Sequence, residues 1–135
     1  MADYFTLFSF TVTLNSQEQQ QQALRFFNQM RAIQSGEEEP KAFPPQLRES
    51  AEDCVFQVEA QDTNIWIHSD CGGVDGACAF VHHLSQQFKL APVSFAWSYD
   101  CTKPRTDAYG GGAAYITAQE IRSITTHEWI AQQKP

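Results

Sequence analysis

The amino-acid sequence predicts one α+β domain built on a mainly antiparallel sheet. Three observations carry that prediction. Tyr4 to Leu14 alternates apolar and polar residues with period two, the mark of a strand with one buried face. Apolar residues recur every three or four positions over two longer stretches, as amphipathic helices require. The second and third strand candidates are separated by a short polar connection, which suggests a hairpin. The chain has 135 residues, the size of one domain. A domain of that size buries about two thirds of its unfolded surface, so no metal or disulfide staple is required.

The elements follow in order. In the first strand Phe8, Phe10, Val12 and Leu14 alternate with Ser9, Thr11 and Thr13. Ser16 with Gln19 forms a capping box that opens a helix over about Gln17 to Ile33. Its apolar face is Ala23, Phe26, Phe27, Met30 and Ile33, and its glutamine run reads as a solvated face. Residues 35 to 52 read as a flexible acidic, proline-rich loop, with Phe43 and Leu47 as candidate anchors. Strands are expected over Val55 to Ala60 and Thr63 to His68. A second helix carries Val74, Ala77, Cys78, Val81, Leu84, Ser85 and Phe88 on one face, with Asp75 as N-cap. A fourth strand ends at Trp97 and a fifth begins at Ala113. Thr117 with Glu120 and Thr125 with Glu128 make two further capping boxes, so the rest reads as one or two short helices. The first six elements match the ferredoxin-like split βαβ arrangement, with two helices on one face, an added C-terminal hairpin strand and a short C-terminal helix. An α+β sandwich of different strand order is the alternative.

Composition narrows the function. Lys and Arg number 9 and Asp and Glu 16, a formal charge of −7. A phosphate-binding surface is normally basic, so direct nucleic-acid binding is not expected. Eight acidic and two basic residues lie between Glu37 and Asp62. Glu37, Glu38 and Glu39 are the candidates for steering a basic partner. No apolar stretch is long enough to span a membrane. The start of the chain has no basic run or cleavage site of a signal peptide, and a cytoplasmic location is expected. The four cysteines are then expected to be free thiols.

The densest segment is Trp97 to Thr117, WSYDCTKPRTDAYGGGAAYIT. It reads as an elaborate hairpin turn, or as a recognition loop. In the second reading Trp97, Ser98, Tyr99, Asp100, Cys101, Arg105, Asp107, Tyr109 and Gly110, Gly111 and Gly112 are the candidate binding residues. Arg105 offers a fork of donors, and the glycine amides an anion-binding nest. The aromatic residues add contact area of the kind enriched at interfaces. No phosphate loop or dinucleotide fingerprint is present, and no cofactor is expected.

This segment resembles a C-terminal signature of small proteins encoded in bacterial genomes, phages and plasmids. The pattern is F-x-W-S-x-x-C-x-x-P-R-x-D-x-x-G-G-G-A-x-x-I-T-A. Here Phe95, Trp97, Ser98, Cys101, Pro104, Arg105, Asp107, Gly110 to Ala113, Ile116, Thr117 and Ala118 meet it. The resemblance covers about half the chain, from the IWIHSDCGG segment onward. It implies a mobile-element accessory protein and supplies no mechanism.

His68, Cys71 and Cys101 are the weak metal candidates, because their spacing fits no standard zinc module. Cys101 is also the candidate nucleophile, with Arg105 to lower its pKa and His68 as base. Ser98 lacks a nucleophile elbow. The expected function is that of a small acidic factor binding a host or bacterial protein; its narrower version is a phage or mobile-element inhibitor of a nucleic-acid-acting defence system. The alternative is a small enzyme or ligand-binding domain at Cys101, Arg105 and the glycines. A homodimer joined through sheet edges is a third expectation.

Overall fold

A computed structural model describes residues 2–37, 43–106 and 108–134. The alternating first segment forms β1 (Tyr4–Val12), with Phe8 and Val12 buried and Ser9 and Thr11 exposed. The helix α1 (Gln17–Gln34) begins where Ser16 Oγ accepts from the Gln19 amide at 3.1 Å. The Gln19 side chain accepts from the Asn15 amide at 2.9 Å, one residue before the position a regular capping box uses. Ala23, Phe27 and Met30 are buried along α1, and Phe26 and Ile33 pack half-buried against the core. The glutamine run is not solvated throughout. Gln20 is buried and donates to the Asp62 and Asn64 carbonyls at 2.9 and 2.7 Å, clasping the next hairpin turn.

The expected loop over residues 35 to 52 is folded in its second half. Pro45–Leu47 makes a single 3-10 turn that leads into the one-turn helix α2 (Arg48–Ala51). Proline fits because it stands at the first position of the turn, where its missing N–H is not needed. Phe43 is buried against Phe26 with ring centroids 5.3 Å apart, and Leu47 packs half-buried on the core, so both anchors hold. β2 (Gln57–Gln61) and β3 (Asn64–Ser69) form the expected hairpin. The helix α3 (Val74–Phe88) is capped by Gly73 at φ 88°, not by Asp75, which lies in its first turn. Gly73 takes that left-handed backbone where Val55 and the Asp53 carbonyl close in, and an aspartate there would be strained.

Two boundaries differ from expectation. β4 (Val93–Cys101) runs four residues past Trp97, and β5 (Gly110–Ile116) includes all three glycines. β4 continues because Tyr4 to Leu7 of β1 provide partners for Ser98 to Cys101. Residues Ile121–Thr125, expected to be helical, form β6. The segment carries two Ile and one Thr with no regular alternation, but the free edge of β5 is available, so strand pairing overrides a weak local preference. Thr117 does cap, but it caps a turn: its hydroxyl accepts from the Gln119 and Glu120 amides at 3.2 Å each. Thr125 and Glu128 form the second capping box as expected and open α4 (Thr126–Ala131).

The sheet has six strands in the order β2-β3-β1-β4-β5-β6, and every neighbouring pair is antiparallel. The expected hairpin extension is therefore two strands, not one. Inward residues Phe8, Val12, Ile65, Ile67, Phe95 and Ile116 face α1 and α3. Phe27, Phe56 and Phe80 join the layers, with ring centroids 5.5 to 6.0 Å apart. The opposite face of the sheet is uncovered. Among the described residues no helix is long and apolar enough to cross a membrane.

Candidate functional site

The three glycines are strand residues, and packing explains them. Trp97 pairs with Gly112 across β4 and β5. A Cβ on Gly112 would overlap the Trp97 ring and lie 2.6 Å from the Ile124 carbonyl oxygen. A Cβ on Gly111 would overlap the Trp97 carbonyl, while the Gly111 amide donates to Thr126 Oγ1 at 3.1 Å. The segment thus lets an indole and the α4 start press onto β5, and the amides do not form an anion nest. The connecting loop is residues 102 to 109. Tyr109 closes it by donating to the Cys101 and Lys103 carbonyls at 3.3 Å each. Arg105 is exposed, and its guanidinium has no hydrogen-bond or ion-pair partner among the described residues. Asp100 accepts from the Cys101 amide at 2.8 Å instead of meeting Arg105. Asp107, Glu38 and Glu39 lie outside the described residues, and Glu37 is exposed.

The nucleophile–base pair does not assemble. Cys101 stands opposite Tyr4 on β1, and His68 stands opposite Ser9. Five residues along one strand is about 17 Å, and an odd number places the two on opposite faces. His68 instead meets Glu59 at 2.6 Å and stacks on Trp66 at 3.8 Å. Cys71 is exposed and donates to the Val55 carbonyl at 3.3 Å. Among the described residues no group of three or more His, Cys, Asp or Glu is placed to hold a metal ion. All four cysteines are free. Burial pushes the Cys54 thiol up to about 11 and Cys78 up to about 12, so both stay protonated and inert. His83 stacks on Phe26 at 4.1 Å, and burial, then the neighbouring His82, lower its pKa.

The extension by β5 and β6 creates two concave surfaces, one on each side of the sheet. On the uncovered side, register aligns Leu7 with Ser98 and Gly111, Ala96 with Ala113 and Ile124, and Ser94 with Tyr115 and Arg122. Ser94, Ala96 and Ser98 of β4 and Gly111 and Ala113 of β5 form a floor of small residues, with Tyr115 of β5 and Asp100 of β4 standing at its ends. Phe5, Leu7 and Trp66 rise on one side, and Ile124 and Trp129 on the other. Two hollows of about 480 and 440 Å³ share Ala113 and Ile124, joining Tyr115 to Trp129. The one cation of this floor and its ridges is Arg122, which lies over the Tyr115 ring at 5.1 Å and bonds Glu120 at 3.0 Å.

On the helix side, α3 packs over β5 but stops short of β6. A cleft of about 520 Å³ remains between Ser50 of α2, the Val74, Asp75, Cys78 and Ala79 side of α3, Trp97 and Tyr99 of β4, the Ile121, Ser123 and Thr125 face of β6, and Glu128 of α4. The Trp97 indole donates to the Tyr99 hydroxyl at 3.1 Å. Of the residues expected at the site, Trp97 and Tyr99 meet here, Ser98 lies on the valley floor, and Arg105 and Tyr109 belong to the loop. Sequence reading missed Ala96, Ala113, Tyr115, Ile124 and Trp129 on one side, and Asp75, Cys78 and Glu128 on the other. The signal for the valley was small residues at alternate positions of two paired strands.

Comparison with known protein families, with curated proteins and with solved structures finds no match for this chain.

Proposed function

We propose that this protein is a protein-binding accessory factor whose uncovered valley receives an amphipathic helix of its partner. The observation that carries the reading is a floor of small residues between two apolar ridges, on a sheet face that no described element covers. The valley spans three inter-strand spacings from β1 to β6, about 14 Å. An α-helix with its side chains is about 10–12 Å across. Asp100, Glu59 and Glu120 border this face, and the whole chain carries −7, so the helix that fits has an apolar stripe and basic flanks. The strand order β2-β3-β1-β4, with α1 and α3 as its crossings, supports a ferredoxin-like split βαβ body to which β5, β6 and α4 were added. The narrower version, a phage- or plasmid-borne inhibitor of a nucleic-acid-acting host system, draws on the motif resemblance and the acidity. Its partner has a basic surface, and salt weakens the complex.

The test is capture of partners from bacterial lysate by the wild type, Ala96→Arg and Ala113→Arg. Both alanines point to solvent, so arginine fills the valley while stability stays within about 0.5 kcal/mol. The expected result is one salt-sensitive partner lost with either substitution. A partner retained by both variants, or self-association that both abolish, overturns the helix reading. A second reading, a small-ligand domain, is favoured by the cleft on the helix side.

A further inference from the structure

The cleft between α3 and β6 has a chemistry of its own. Its walls come from four places in the chain, and two glycines fix them. Gly112 leaves room for the Trp97 ring, and Gly76 lets α3 press onto the Asp53 backbone, where a Cβ would sit 2.6 Å from the carbonyl oxygen. Trp97 and Tyr99 supply aromatic surface, and Val74, Ala79 and Ile121 supply aliphatic surface. Asp75 enters from the first turn of α3 and Glu128 from α4. None of the lining residues is basic.

Cys78 lines the cleft as part of the buried core. The Asp75 carboxylate is exposed in the first turn of α3 and has no hydrogen-bond partner or cation among the described residues. Glu128 spends one oxygen on a long 3.4 Å contact with the Thr125 amide. An anion would face two carboxylates here, both of them exposed. A cation meets opposite charge beside the aromatic side chains of Trp97 and Tyr99, the pairing that favours ammonium and guanidinium groups.

We propose that this cleft binds an organic cation, a primary amine or guanidinium group on a short apolar stem. The hydroxyls of Ser50, Ser123 and Thr125 supply further acceptors for its N–H groups. The cation belongs either to a free small molecule or to a lysine or arginine side chain of a bound peptide. The site lies on the other side of the sheet from the valley, so it stands or falls without the helix reading.

The experiment is titration of isotope-labelled protein, following the Trp97 indole N–H and the Ser123 and Thr125 amides. The probes are pentylamine and agmatine, with pentanol and pentanoate as neutral and anionic counterparts. Saturable shifts at these positions with the two cations, and none with the other two, are expected. Asp75→Asn and Glu128→Gln each weaken binding about three-fold or more. Glutamine still completes the capping box, so loss in that variant is not loss of α4. Ala96→Arg on the far face leaves binding unchanged. Short capped peptides centred on Lys or Arg, compared with the free amines, tell the source: tighter peptide binding assigns a partner side chain, and tighter amine binding a small molecule. No saturable shift, equal binding of pentanol, or indifference to both carboxylate substitutions overturns the proposal.

Discussion

The N-terminal body (β1 to β4 with α1 and α3) and the outer part of the C-terminal extension (β6 and α4, beyond β5) treat apolar residues in opposite ways. In the body, Phe56, Phe80, Ile65 and Ile67 are wholly buried. In the extension, Tyr115, Ile121, Ile124, Trp129 and Ile130 are all among the exposed large hydrophobic residues, and neither β6 nor α4 buries any residue fully. The helices cover the body and reach β5, where Ala114 and Ile116 are buried, while β6 and α4 lie beyond them and no described element covers the far face. Folding energy is therefore concentrated in the first region, and recognition surface in the second. Exposed apolar patches of this kind mark interaction sites more often than structural accidents.

The largest test of that division is Phe80→Ala. Phe80 touches Phe26, Phe27 and Phe56 rings and is wholly buried. The cavity destabilises the domain by about 3–5 kcal/mol, a large part of a usual total of about 5–15. Urea unfolding measures it. A loss below about 1 kcal/mol would mean that the two regions do not differ as argued.

Gly112→Val strikes the joint between the regions. Its side chain meets the Trp97 ring and the Ile124 carbonyl, one a core group and the other backbone, so neither yields easily. Overpacking of that kind costs about 1–3 kcal/mol. The substitution displaces Trp97, so a moved Trp97 indole resonance should accompany the stability loss. Stability lost without any movement of Trp97 would place the strain in β6 instead.

How much of this was legible beforehand differs by region in the same way. In the body, periodicity reports burial directly: Ala23, Phe27 and Met30 on α1, and Val81 and Leu84 on α3, are where spacing put them. Phe80 was missed because α3 is buried on more than one face, and a single amphipathic stripe cannot show that. In the extension the signals misled. Three glycines read as a loop, yet Gly112 is small because the Trp97 indole lies against it, a contact between residues 15 apart in sequence, while the Trp97 carbonyl crowds Gly111 and Thr126 crowds Gly110. Ile121 to Thr125 shows too little pattern to reveal that an open edge awaits it. The valley exists only once register sets Ala96 beside Ala113 and Ile124, and the cleft only once α3 stops short of β6. Neither register nor helix reach is written in one segment.

The smallest effect, and the sharpest on the comparison, is Thr125→Ala. The Thr125 hydroxyl accepts from the Glu128 amide at 3.1 Å, and removing such a cap costs about 1 kcal/mol. Where that energy is lost depends on how α4 is joined to the rest. The helix has six residues and buries none of them fully, so it should open on its own while the body stays folded. Hydrogen exchange of the amides from Glu128 to Ala131 would then quicken about five-fold, with the amides of β1 and β3 unchanged and the melting temperature nearly so. A single cooperative unit would behave differently, spreading the same 1 kcal/mol over every protected amide and lowering the melting temperature by about 4 °C. That second outcome would tie α4 to the core through Thr126 and Trp97. The valley's outer ridge would then be a rigid wall, and a partner helix would find Trp129 already in place.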